Sequence, residues 1–247
     1  MSKTKAPVPT HVAIIMDGNR RWARQNKLQI FKGHEKVAKE VIQALVDRCL
    51  ELKISYLTLW AFSTENWKRS QREVDAILNL LRDMFIDGRE ALEGRDVKIN
   101  TIGELARFPE DIQQGIVEWK EESKNAQSLT VTFALNYGGR DEILRAIRQL
   151  MLISVGEIRG LNQSALAKKI AELTTEKFLS AQLDTTDLPD PDLIIRTGGE
   201  QRLSGFMPWQ SAYAEFYFTK VLMPDFGAEQ LDLALKEYAC RERRFGK

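Results

Sequence analysis

Short apolar runs alternate along this chain with longer stretches in which apolar residues recur every three or four positions. Val12 to Met16 is an unbroken apolar run that stops at Asp17-Gly18-Asn19, and it predicts a buried strand. Between Gly33 and Lys53, apolar residues fall at Val37, Val41, Leu45 and Cys49, with Ala38 and Ile42 beside them. That spacing predicts a helix with one buried face. Ile54 to Phe62 is β-branched and aromatic and predicts a second strand. Ser70 to about Gly94 predicts a long amphipathic helix, with Ser70 and Glu73 as a capping box and Val74, Ile77, Leu78, Leu81, Met84 and Phe85 as its apolar face. Further strands are expected over Val97 to Ile102, Leu129 to Asn136, Leu193 to Ile195 and Glu215 to Thr219. Helices are expected over Pro109 to Lys124, Asp141 to about Val155, Gln163 to Leu173 and Ala228 to Arg244. Thr185 to Pro191, with two aspartates and two prolines, reads as a loop.

Alternating β and α segments imply an α/β fold with a mainly parallel central sheet covered by helices on both faces. No internal repeat, linker or low-complexity tract interrupts the pattern. Residues 1–10 read as a short flexible arm and residues 11–247 as a single domain.

Composition narrows the functional classes. Of 247 residues, 43% are hydrophobic and 29% charged, which suits a globular protein with a sizeable core. A formal net charge of +1 gives no global field for nucleic acid, so any anion site must be a local cluster of basic side chains. Two cysteines without metal spacing suit a reducing cytosol, and a cytoplasmic location is expected. No apolar run is long enough to span a bilayer, and MSKTKAPVPT lacks the apolar core of a signal peptide.

Chemistry concentrates directly after strands, in Asp17-Gly18-Asn19-Arg20-Arg21, Ser63 to Arg69, Asn136 to Arg140 and Arg196 to Ser204. Parallel strands bring their carboxyl ends to one edge of the sheet. The four clusters should therefore converge on one cleft holding Asp17, Asn66, Arg69, Arg196 and Arg202. A carboxylate there can hold a divalent cation, and forked guanidinium groups grip phosphate oxygens. Any one Arg alone is more often a solvated surface charge; four strand ends with the same chemistry weigh against that. Other motifs are absent: there is no P-loop, no strand followed by G-x-G-x-x-G, no nucleophile elbow, and two histidines are too few for a His-rich metal site. The strand–Asp start faintly suggests an aspartyl-nucleophile phosphatase, but Asn19 stands where its second acid would be.

Longer motifs carry a resemblance. HVAIIMDGNRRWA from His11, Gly33-His34, AFSTENWKR over Ala61 to Arg69, NYGGR over Asn136 to Arg140, IRTGGEQRLSGFMPWQSAYAEFYF over Ile195 to Phe218, and RERRFG over Arg241 to Gly246 resemble the cis-prenyltransferases, in order along nearly the whole chain. The resemblance implies a homodimer and a Mg2+-dependent condensation. Isopentenyl diphosphate units would be added in the cis configuration to an allylic diphosphate, commonly farnesyl diphosphate. The product would be a polyprenyl diphosphate such as undecaprenyl diphosphate, made for cell-wall biogenesis and released with possible peripheral membrane contact.

Residue by residue, the resemblance implies that Asp17 holds Mg2+ and assists diphosphate departure. Gly18, Asn19, Arg20, Arg21 and Trp22 match the allylic diphosphate loop, and His34 matches its histidine. Ser63, Thr64, Glu65, Asn66, Trp67 and Arg69 match the loop that positions the reacting ends, with Asn66 a candidate for deprotonation and a diphosphate oxygen the alternative. Glu73 matches a glutamate just beyond it. Arg196, Arg202, Leu203 and Ser204 match the isopentenyl diphosphate site, and Glu215 a glutamate linked to the metal there. Arg244 and Gly246 match a C-terminal element that reaches the partner subunit's site. An apolar tunnel for the tail is expected, walled by the helix from Ser70 and the strand from Leu129.

Two positions depart from the family's pattern. Arg20 stands where bacterial long-chain members usually carry Gly, and Ile30 replaces a basic residue four places before the histidine, with Lys27 and Lys32 the nearest charges. A short- or medium-chain cis-prenyl synthase is the alternative inside the family. A phosphate-ester hydrolase and a non-catalytic partner subunit are the alternatives outside it. The last is disfavoured because Asp17 and Asn66 are both present.

Overall fold

Six parallel strands form one sheet in the computed structural model, which describes residues 7–87, 92 and 94–241. The strands are β1 (His11–Ile15), β2 (Tyr56–Ser63), β3 (Val97–Ile102), β4 (Leu129–Tyr137), β5 (Leu193–Arg196) and β6 (Glu215–Phe218), and their order across the sheet is β3-β4-β2-β1-β5-β6. The inner strands β1, β4 and β5 are buried on both faces, whereas the edge strand β3 exposes Lys98 and β6 is only half-buried. Val12, Ile14, Leu57, Leu59, Val131, Phe133, Leu193 and Ile195 enter the larger core, while Ala13, Ile15, Ala134 and Ile194 enter a smaller core on the other face. This two-sided burial explains why the run from Val12 reads as unbroken and apolar.

The helices are α1 (Asn19–Gln25), α2 (Phe31–Lys36), α3 (Ile42–Leu52), α4 (Gln71–Arg82), α5 (Glu110–Glu122), α6 (Gly139–Ile158), α7 (Gln163–Leu173), α8 (Glu176–Ser180) and α9 (Ala228–Cys240). The helix expected from Gly33 begins two residues earlier and runs from α2 into α3 through a π-helical turn at Val37–Val41. It stops at Lys53, which takes a left-handed conformation with φ 60°. The long helix after Ser70 is likewise helical to Arg82 and π-helical over Asp83–Asp87. The capping box expected there does not form. Glu73 Oε2 accepts a 3.2 Å bond from the Ser70 hydroxyl itself, and Glu73 Oε1 turns toward Arg20. The short helix α8 was not expected, and α6 is longer at both ends than its apolar pattern.

The chain crosses the sheet centre at β1, which has β2 on one side and β5 on the other. Such a switch point leaves a crevice beyond the strands' carboxyl ends. The amino edge is closed instead. Pro9 is buried, and the Thr10 and His11 amides both donate to Asp192 Oδ2, so the end of the expected arm is tied down. His11 is fully buried, with Nδ1 2.7 Å from the Pro189 carbonyl and Nε2 2.8 Å from the Thr58 hydroxyl.

Burial lowers the His11 pKa from 6.5 to about 4, against the raising effects of the Pro189 carbonyl and Asp192. A depressed folded-state pKa means the stability from neutral His11 is complete above the unfolded value and is lost as pH falls through the folded one. The window is 6.5 to about 4, and the loss approaches ~3 kcal/mol at its acid end. Urea unfolding at pH 7 and pH 4.5 should show a smaller difference for His11→Gln than for the unaltered protein.

Candidate functional site

Asp17 lies two residues past the end of β1, and everything around it fixes its position. Gly18 turns the chain with φ 106°, and a side chain there would strike Leu222 at 2.9 Å. One carboxylate oxygen of Asp17 accepts from Arg196 Nη2 at 3.0 Å, and the other lies 3.7 Å from Arg21 Nη2. Arg196 ends β5 and is buried; its Nη1 also donates to the Arg202 carbonyl and, at 2.8 Å, to the Ser204 hydroxyl. Three polar atoms at the crevice are buried without a hydrogen bond: Arg196 Nε, Asn19 Oδ1 and Glu73 Oε1, the last of which meets Arg20 as an ion pair.

Gly33 explains how a second helix reaches this spot. A Cβ on Gly33 would lie 2.2 Å from the Asn19 carbonyl oxygen, so only glycine lets α2 rest on the start of α1. The next residue, His34, thereby lines the cavity. Arg20 Nε lies 3.4 Å from Glu73 Oε1, which links α1 to α4. Burial, then the charges of Arg69 and Arg20, lower the His34 pKa to about 4, so His34 is neutral near pH 7.

Beyond β2, residues Thr64–Lys68 form a 3-10 turn closed by a reciprocal cap between Ser63 and Asn66. The Ser63 amide donates to Asn66 Oδ1 at 3.1 Å, which commits that oxygen to holding the turn. A bulge skips Ala61 in the β2–β4 register, and Trp60, Ala61 and Ser63 all reach the cavity wall. Gly138 lets Thr64 approach, since a Cβ would sit 2.8 Å from its hydroxyl.

These residues enclose a cavity of about 450 Å3 that is polar at its mouth and apolar within. Asp17, Asn19, His34, Ser63, Glu65, Asn66, Arg69, Arg196 and Ser204 form the mouth. Met16, Val37, Ala38, Ile42, Ile77, Leu80, Leu81 and Met84 form the walls. A second chamber of about 240 Å3 borders the same Ala38, Ile42, Leu80 and Met84 and extends to Leu92, Trp119 and Phe133. Outside, a groove of about 750 Å3 between α2 and α4 presents Arg20, Arg69, Arg72, His34 and Glu73.

The convergence expected of the strand ends therefore holds for Asp17, Asn66, Arg69 and Arg196, but other expected site residues stand apart. Trp22 Nε1 donates to Asp225 at 2.8 Å, with Lys36 over its ring, and clamps α1 from outside. Trp67 Nε1 donates to Asn136 at 2.8 Å, and its ring packs on Phe62 and Phe108, bracing the 3-10 turn. Arg202 is exposed and paired with Glu200, and Leu203 packs against the smaller core. Glu215 is not brought to Asp17 within one chain. It begins β6 at the amino edge of the sheet, opposite Leu193, and pairs with Arg241 at 2.7 Å. Arg244 and Gly246 lie outside the described residues.

Comparison with known proteins follows the same outline. A family profile described as putative undecaprenyl diphosphate synthase matches residues 15–246. The chain belongs to the undecaprenyl diphosphate synthase family. Isoprenyl transferases of this family include one from Thermotoga maritima, 45% identical over 97% of both chains, and one from Clostridium tetani, 43% identical over 97% of this chain and 89% of the relative. Among solved structures, lavandulyl diphosphate synthase from Lavandula x intermedia, in complex with dimethylallyl diphosphate, has TM-score 0.87 at 35% identity over 97% of this chain and 99% of its own. A probable undecaprenyl diphosphate synthase from Campylobacter jejuni has TM-score 0.74 at 35% identity over 98% and 100%.

One wall of the cavity in this isoprenyl transferase family member differs from the wall its apolar pattern implies. Helix α4 was expected as a wall and is one, but the facing wall is the π turn and start of α3, not β4, which gives only Phe133 to the deeper chamber. The signal was present: Ala38 and Ile42 widen the apolar stripe of that helix beyond what one core contact needs.

An anion bound beside His34, Arg20 and Arg69 should raise the imidazole pKa, because a nearby negative charge favours the protonated form. With two histidines in the chain, NMR titration resolves each. The His34 midpoint near 4 should move upward with inorganic pyrophosphate while that of His11 stays in place.

Proposed function

We propose that this chain condenses isopentenyl diphosphate with an allylic diphosphate, farnesyl diphosphate being the expected primer, in the cis configuration to give a polyprenyl diphosphate. The observation that carries the reading is one cavity joining a mouth of guanidinium, carboxylate and imidazole groups to an apolar interior. Its contents match an amphiphile with an anionic head and a hydrocarbon tail. The second chamber behind Ala38 and Met84 favours an extended product over a short one.

Mg2+ fits the residues present. Asp17 offers a partly exposed carboxylate at the mouth, and among the described residues no group of three or more His, Cys, Asp or Glu could form a dedicated metal cage. A single carboxylate plus substrate phosphate oxygens is a usual Mg2+ arrangement. When bound, Mg2+ neutralises charge on the departing diphosphate. The chain supplies the rest. Arg69, Arg20 and neutral His34 bind and orient the allylic diphosphate. Arg196 and Ser204 hold the isopentenyl diphosphate beside Asp17. The isopentenyl double bond attacks as the allylic carbon–oxygen bond breaks, and the proton then lost from the new chain passes to a base. Because Asn66 Oδ1 already caps the Ser63 turn, the arrangement supports a diphosphate oxygen as that base and Asn66 as an orienting donor. Ile77, Leu80, Leu81 and Met84 exclude water from the allylic cation and line the path of the tail.

A homodimer belongs to the same reading. Leu144, Ile147, Met151 and Val155 are exposed along one stripe of α6, an apolar face suited to a second copy. The expected site of action is cytoplasmic, with product handed over at a membrane surface; among the described residues no helix is long and apolar enough to cross a bilayer.

Incubation with Mg2+, farnesyl diphosphate and labelled isopentenyl diphosphate should give chains whose length chromatography reads directly. Geranyl diphosphate in parallel tests the primer. Phosphate release from simple monoesters without chain growth would replace this reading with a hydrolase. Asp17→Ala should keep the fold and lose at least about 100-fold in turnover. Leu144→Lys with Met151→Lys should lower the mass measured by light scattering to that of a monomer.

A further inference from the structure

We infer that Thr197 is a positioning residue: its hydroxyl holds the main chain of Asp17 and so aims the carboxylate into the cavity. The inference rests on the proposed role of Asp17. Thr197 follows Arg196 directly, is fully buried and does not line the cavity. Its Oγ1 accepts the Asp17 amide at 2.9 Å and donates to the Asp17 carbonyl at 2.6 Å, so one hydroxyl closes on both main-chain groups of one residue. The contact replaces strand pairing at the point where β1 has ended and Gly18 is about to turn the chain. Gly198 presses the same backbone onto Asp17, since a Cβ there would lie 3.2 Å from the Asp17 carbonyl carbon and 2.4 Å from Arg21 Nη2.

The hydroxyl is not needed to satisfy these groups. The Asp17 amide also donates to the Ile15 carbonyl at 2.9 Å, and the Asp17 carbonyl also accepts from the Met223 amide at 3.0 Å. Removing the hydroxyl therefore leaves neither group orphaned, so the fold should survive the change. What it loses is the restraint on the Asp17 carboxylate between Arg196 and Arg21. Displacing a reacting group by about 1 Å costs as much as 100-fold in rate.

Thr197→Val keeps the shape and removes the hydroxyl, whereas Thr197→Ser keeps the hydroxyl. With melting temperature followed alongside, Thr197→Val should lose about tenfold or more in kcat. Its KM for isopentenyl diphosphate should stay within about threefold, and its half-saturating Mg2+ concentration should rise. Thr197→Ser should stay within about threefold of the unaltered enzyme in kcat. Unaltered kcat in Thr197→Val, an equal loss in both variants, or a parallel change in kcat and KM each overturns the inference. If Thr197→Val does not fold, Thr197→Ala is judged by the same criteria. An unaltered protein that fails to condense the diphosphates defeats the proposed function instead, so the two failures are distinguishable.

Discussion

The site depends on one contact between neighbouring parallel strands. β1 and β5 pair in register so that Ile15 stands opposite Arg196, and the buried guanidinium at the end of one strand meets the carboxylate just past the end of the other. A buried arginine is costly unless its charge and donors are matched. Here Asp17, the Ser204 hydroxyl and the Arg202 carbonyl match them. Arg196 Nε remains without a hydrogen-bond partner at the crevice. The register of two strands thus fixes the distance between an acid and a base far apart in sequence.

A buried polar network steadies the loop that carries Ser204. Ser204 and Met207 both have positive φ, so the loop gains no support from regular structure. Tyr137 donates to Glu142 at 2.7 Å, and Gln210 donates to the same carboxylate and to Thr185. The Gly139 amide donates to the Gly205 carbonyl at 2.8 Å, and Phe206 stacks on Trp60 at 5.1 Å. Burial raises the Glu142 pKa despite these donors. The NYGGR motif therefore works mainly behind the cavity: Asn136 braces Trp67, Tyr137 binds Glu142, and Gly139 lets Pro208 approach.

The strands and their parallel direction were legible because short apolar, β-branched or alternating segments take turns with helical periods, and the Asp17, Asn66, Arg69 and Arg196 cluster because each residue follows such a segment; the order of strands across the sheet was not legible. Distances between loops were not legible. Arg202 and Arg196 look alike in sequence, yet one pairs with Glu200 in solvent and the other is buried against Asp17. Trp22 and Trp67 share the motifs of cavity residues but work as braces. Thr197 was not legible, since nothing local shows that its hydroxyl faces a main chain 180 residues away. Glu215 was assigned from resemblance alone, and its place at the start of β6 follows from strand direction.

The continuous helix from Phe31 to Leu52 has a mechanical consequence. It presents His34 at the polar mouth and Ala38 and Ile42 along the hydrocarbon path, and Gly33 seats it backbone to backbone on α1. Mouth and wall of the cavity are thus carried by the same rod, which has no side chain where it rests on α1. The inner end of the helix and the imidazole therefore sit on one continuous element, seated directly on the helix that follows the Asp17 loop.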